Sequence, residues 1–156
     1  MVNDLAALPR WGFAFPGDLR DELTALALAG TKTTTAGLFV EYELDGEVVA
    51  QPGDLALLLD SREQPVALLE TVTTRIARLA DVDDRHAIDE GEGYANAAEF
   101  RVAHERYWNR YLDDLRTRLG DPDFALTDDT LVVLERFRIV RELEPGEIAP
   151  PPAASS

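Results

Sequence analysis

Cysteine is absent from this 156-residue chain, which excludes a disulfide framework, a thiolate nucleophile and a thiolate metal site. Lysine is almost absent: Lys32 stands alone beside fourteen arginines. Histidine is limited to His86 and His104, eighteen positions apart. That is too far for the His-x-x-x-His spacing that puts two imidazoles on one helix face, and scattered acids do not make a ligand set, so neither a metal nor a cofactor is expected. No apolar run approaches the ~18 residues that cross a bilayer, and the opening MVNDLAALPRWGF lacks the basic and apolar regions of an export signal. A cytoplasmic protein without a membrane partner is the expectation. Positive charge is scarce as well, with 15 basic against 30 acidic residues and a net charge of -15. Such a field repels polyanions, so an RNA partner would need a local basic cleft.

What is present reads as one domain with a real core, since the length suits one such unit better than two. In FPGDLRDELTALALAGT a Pro-Gly turn precedes Asp18, expected to cap a helix with Leu19, Leu23 and Leu26 on one face and Gly30 as its stop. Lys32 then lies just past a helix end, among threonines. AGLFVEYELDGE fits a short helix or an edge strand, and the helix is the reading adopted. GDLALLLDSREQPVALLETVTT reads as a β-hairpin turning at Asp60 to Gln64, with Val66, Leu68, Glu70 and Val72 on one face. A short helix after Asp83, a break at Gly91 and Gly93, and a long helix from about Ala95 to Leu119 follow, the last with Phe100, Ala103, Tyr107, Tyr111 and Leu115 as its buried stripe. TLVVLERFRIV is a strand that carries Glu135 on the face of Leu131, Val133, Phe137 and Ile139. The Pro/Ala/Ser tail, residues 144–156, is expected to be disordered and residues 1–10 to be a flexible N-terminus, leaving 11–143 as the domain.

Glu70 and Glu135 are costly on inner strand faces unless a cation compensates them. Lys32 is one candidate; Arg75, Arg136 and Arg138, on or beside the same strands, are the others. An amine differs from a guanidinium in that it can give up its proton when desolvated, which offers a reason to keep a single lysine where arginine dominates.

The segments FAFPGDLRDELTALALAGTKTTTAGL, GDLALLLDSREQPVALLETVTT, DEGEGYANAAEFRVAHERYW and LVVLERFRIV, in that order from Phe13 to about Val140, resemble the ASCH-domain family and above all its stand-alone bacterial branch. The resemblance implies an α+β, PUA-like fold, a small twisted β-barrel flanked by helices with a cleft at the Gly-x-Lys segment. Members of the family include proposed RNA binders, a reported ribonuclease, and a small bacterial group that hydrolyses the exocyclic amide of acetylcytidine nucleosides. In that group the working residues are a lysine, a threonine three positions later and a glutamate on a later strand, which match Lys32, Thr35 and Glu70 here. A lysine amine could take the threonine proton, the hydroxyl attack the amide carbonyl, and a carboxylic acid protonate the leaving amine. Thr33, Thr34, Glu92, His104 and Glu135 are the candidates for contact with substrate. A small-molecule nucleoside or nucleotide is the expected partner, since a neutral nucleoside needs no basic field and an RNA strand does, and a non-catalytic nucleotide- or RNA-binding module or a ribonuclease is the alternative.

Other marks leave two roles open. Glu90 and Glu92 can rim the cleft, but acids around Gly91 and Gly93 more often form a solvated turn. His104, beside the aromatic stripe, is more readily a packed histidine than a catalytic one, and His86 is expected at the surface. Trp11, Phe13 and Phe15 can stack a base or staple the first helix. The arginine frequent in the family five positions after the lysine is Gly37 here, which removes one cation from the expected cleft.

Overall fold

The structure, a computed structural model, describes residues 4–148. The ends of the expected flexible N-terminus and disordered tail, residues 1–3 and 149–156, lie outside the described residues. Between them a 3-10 turn, Leu5–Ala7, leads to β1 (Arg10–Trp11), α1 (Asp18–Leu28), β2 (Thr34–Leu38), α2 (Phe39–Asp45), β3 (Leu55–Leu59), β4 (Pro65–Arg78), α3 (Asp84–Asp89), α4 (Ala97–Asn109), α5 (Leu112–Leu119) and β5 (Leu131–Glu142). Leu5, Leu8 and Ile148 pack against a small cluster of Leu57, Leu68 and Leu143.

The α+β architecture implied by the resemblance is present, built on a five-stranded sheet in the order β1-β3-β4-β5-β2. β1 runs parallel to β3 and the other pairs are antiparallel. The sheet stays open rather than closing into a barrel, because β1 offers only two residues at its edge. The hairpin between β3 and β4 turns where expected. Asp60 Oδ1 accepts from the backbone amides of Arg62 and Gln64, each at 2.9 Å, which fixes the tight loop. Irregular pairing between Leu68 and Leu69 and between Thr71 and Thr73 bends the long β4–β5 ribbon, so strict alternation does not run its whole length.

Three other expectations shift. Gly17, at φ 147°, rather than Asp18 is the N-cap of α1, and Asp18 and Asp21 lie in the first turn, where the helix dipole favours them. The ambiguous segment holds both structures: Thr34–Leu38 is strand and Phe39–Asp45 helix. The long helix is two, broken at Arg110 and Tyr111, with Tyr111 leaving helical geometry at φ -123° and ψ 23°.

β5 is covered on both sides. Val132 and Leu134 join Phe100, Trp108 and Leu115 in the core under α3 to α5. Phe137 and Ile139 pack instead with Phe13, Leu23, Ala27 and Leu69 under α1. The cleft lies between these two clusters.

Candidate functional site

Gly30 ends α1 at φ 78°, and the chain reverses tightly enough that the amides of Thr31 and Lys32 both reach the Leu26 carbonyl at 3.0 Å. The reversal turns Lys32 inward, where only 2% of it is exposed. Its Nζ donates to Glu92 Oε2 at 2.9 Å, to Glu90 Oε1 at 3.3 Å and to the Glu90 carbonyl at 3.3 Å, and lies 5.4 Å from the centre of the Phe13 ring. These three acceptors match the three donors of an ammonium group.

The acids arrive on the turn after α3. Gly91, at φ 73°, passes so close to the lysine strand that a Cβ there would stand 2.4 Å from the Thr31 carbonyl oxygen and 2.8 Å from Lys32 Cα. Only glycine fits, and the close approach is what delivers Glu90 and Glu92 to the same amine. Further bonds fix the docking: the Thr33 amide donates to the Asp89 carbonyl at 2.9 Å, and Thr34 Oγ1 to the His86 carbonyl at 2.9 Å.

The two carboxylates sit in different surroundings. Glu90 is 1% exposed, with His86 Nε2 at 2.9 Å and His104 Nε2 at 3.3 Å from its oxygens. Burial pushes its pKa up, but the Lys32 ammonium and the hydrogen bonds of His104 and His86 outweigh this and hold it well below the ordinary carboxylate range. Glu92 accepts from Lys32 on one oxygen and from the Tyr94 hydroxyl at 3.3 Å on the other. Burial raises its pKa, Lys32 lowers it, neighbouring Glu90 raises it again, and the sum lies above the usual value. One acid is a fixed counter-ion; the other can carry a proton.

Above this cluster opens a cleft of about 260 Å3, lined by Phe13, Thr35, Tyr94, Tyr107 and Trp108 around Lys32, Glu90, Glu92 and His104. Arg20 shapes one wall. Though buried, it donates to the carbonyls of Phe13 and Ala14, each at 3.0 Å, and holds the loop in a form that puts Ala14 at φ 54°. Phe15 rests on Tyr107 and Tyr111, with ring centres 5.9 and 5.2 Å away. Trp11 meets Phe13 edge-on at 5.0 Å, so of the three aromatics before α1 only Phe13 reaches the cleft.

Of the residues singled out in the sequence, Lys32, Thr35, Glu92 and His104 meet in this cleft. Glu70 does not. Leu69 belongs to the Phe13 cluster, so Glu70, the next residue on the strand, points to the opposite face, where it accepts from Arg138 Nε at 2.5 Å. The expected Lys32–Glu70 pair is therefore not formed, and the carboxylates within ion-pair distance of Lys32 are Glu90 and Glu92. Glu135 is satisfied by the Thr71 hydroxyl at 3.0 Å, with burial, partly offset by that bond, raising its pKa. Thr33 and Thr34 bind the α3 turn rather than lining the cleft. Sequence reasoning underrated Glu90, taken for a solvated turn residue, and misplaced His86, which is 7% exposed and stacks edge-on to Phe100. The available signal was the Glu-Gly-Glu triplet after a histidine four residues upstream, which puts His86 and Glu90 one helical turn apart.

A family model for the ASCH domain matches residues 10–141. An ASCH domain from Lactobacillus crispatus superposes with a TM-score of 0.69 at 25% identity, over 85% of this chain and 79% of that one. A protein from Enterococcus faecalis V583 assigned to the family model DUF984 superposes with a TM-score of 0.72 at 22% identity, over 86% of this chain and 77% of that one, a likeness of fold alone. A stretch of 67 residues is also 37% identical to a 2-dehydro-3-deoxyphosphooctonate aldolase of Haemophilus ducreyi, but it spans 43% of this chain and only 23% of that enzyme.

Proposed function

The chain belongs to the ASCH-domain family, and on that premise we propose that its cleft binds a small acylated nucleoside, acetylcytidine-like, and hydrolyses the exocyclic amide. The observation that carries this reading is the buried Lys32–Glu92 contact of 2.9 Å at the base of an aromatic-walled cleft that Thr35 also lines. The walls suit a planar base, whose faces stack on rings and whose edge meets fixed donors and acceptors.

The steps use this chain's own groups. With all three Nζ–H bonds engaged, Lys32 becomes a base only after a proton passes along its contact to Glu92, leaving a neutral amine and a carboxylic acid. The amine takes the proton of the Thr35 hydroxyl as Oγ1 attacks the carbonyl carbon. The regenerated ammonium stabilises the oxyanion, and Glu92 protonates the departing exocyclic amine as the C–N bond breaks. Water then cleaves the threonine ester and restores the site. Glu90, held ionised by Lys32 and the two histidines, keeps the lysine positioned throughout.

A small ligand is also favoured by the fate of the strand arginines. Arg75 pairs with Asp83, Arg136 with Asp89 and Arg138 with Glu70, so these side chains supply no basic track for an RNA strand.

The test is a panel of acylated nucleosides with release of the free amine followed by chromatography. Turnover is expected, with losses of ~100-fold or more in Thr35→Val and Glu92→Gln, and with Lys32→Arg nearly as damaging as Lys32→Ala. No turnover of any panel member, or full activity in Thr35→Val, would refute the mechanism.

A further inference from the structure

We propose that Arg106 and Arg110 form an anion subsite at the mouth of the Lys32 cleft, so that its ligand carries a phosphate and is a nucleoside monophosphate rather than a free nucleoside. The nucleoside half of this assignment rests on the function proposed above, whereas the anion subsite stands on its own geometry.

Both arginines line the cleft. They are four residues apart, one inside α4 and one at its C-cap, which places them on a single helix face on either side of Tyr107. Both are exposed, and neither makes an ion pair or a side-chain hydrogen bond among the described residues. In a chain with 30 acids, Arg78, Arg101, Arg116, Arg118 and Arg141 are all drawn to carboxylates; Arg62, on the β3–β4 turn, is also without such a partner, but it lies away from the cleft that Arg106 and Arg110 line. Two guanidinium groups one helical turn apart on a cleft rim, neither paired with a carboxylate, can each offer the paired N–H bonds that a phosphate takes.

The interior of the cleft sets the ligand's orientation. At its base one ammonium faces Glu90 and Glu92, so a phosphate there would meet two acids for one cation, whereas a neutral base would not. The polar head must then point outward, toward Arg106 and Arg110. Positions in the last turn of α4 also let both arginines complement the helix dipole. That role would affect stability without making binding depend on a phosphate, and the experiment separates the two.

The first arm titrates the whole protein at low ionic strength with inorganic pyrophosphate and follows the arginine Nε–H signals by NMR. Saturable shifts at Arg106 and Arg110, absent from an Arg106→Gln/Arg110→Gln variant, are expected. No shift at either arginine would overturn the subsite, whatever the nucleoside result. The second arm measures by calorimetry the affinities of acetylcytidine and of its 5′-monophosphate. The monophosphate should bind about tenfold more tightly to the wild type, with the ratio falling to near one in the double variant. Equal affinities in the wild type would overturn the monophosphate assignment and leave the proposed function standing. Failure of both forms to bind would refute both, leaving the pyrophosphate shifts to decide the subsite. A short oligoribonucleotide that binds more tightly than the monophosphate would also overturn the assignment.

Discussion

Two ion pairs of this protein contrast sharply. Lys32 with Glu90 and Glu92 is shut inside, the lysine and Glu90 at 2% and 1% exposure, while Arg138 with Glu70 lies on the far face of the sheet, at 58% and 28%. Both bring a cation to a carboxylate at short range. Only the first strips both charges of water, and there the Lys32 charge bears on the protonation of both carboxyls. The contrast teaches that a glutamate's place on a strand says little about its role. What matters is whether the chain brings it to a desolvated partner, and here a turn does so through Gly91.

The strongest way to break the comparison is to remove the buried cation. Lys32→Met leaves Glu90 and Glu92 facing each other without their amine, and about 3–5 kcal/mol of stability should be lost in chemical denaturation. A loss below 1 kcal/mol would mean that the acids are rescued by solvent. Next comes Gly91→Ala, where the backbone alone costs about 1–3 kcal/mol and the added methyl meets the Thr31 carbonyl. Thermal unfolding should show the destabilisation, and a crystal structure should show Glu90 and Glu92 displaced from Lys32.

A subtler effect follows from the raised pKa of Glu92. A carboxyl whose folded pKa exceeds its unfolded value binds protons more readily in the folded state, so its contribution to stability declines as pH rises above the ordinary value of 4.5. Glu92→Gln removes that decline. The melting temperature of the variant relative to wild type should therefore rise with pH from about 4.5 upward. Glu90 has the opposite sign: its folded pKa is depressed, so its contribution is present above the ordinary carboxylate value and is lost as pH falls through its lower folded one. The smallest effect belongs to the exposed pair, where Arg138→Ala should cost under about 1 kcal/mol and less at high salt.

How much of this was legible in the sequence depends on the range of the signal. Local periodicity and turn chemistry located α1, the hairpin at Asp60 to Gln64 and the strand of Leu131 to Val140, because each is encoded within a few residues. Lys32 was legible as a lone amine among threonines past a helix end, whereas Thr35 was singled out from its neighbours only by the family resemblance. The partner of Lys32 was not, since Glu90 lies 58 residues away and alternation on β4 favoured Glu70 until the sheet's packing showed that it faces outward. His86 was misjudged for the same reason: a polar residue in an acidic helix looks exposed until the strand against which it docks is known.

The most direct test of the account is a carbon-13 titration of the glutamate side-chain carboxyls in the intact protein. Glu90 should remain ionised to the lowest pH at which the fold persists, Glu92 should titrate above the ordinary carboxylate range, and Lys32→Met should move both. If Glu90 and Glu92 titrate together near 4.5 and Lys32→Met moves neither, the buried cluster described here does not exist in solution.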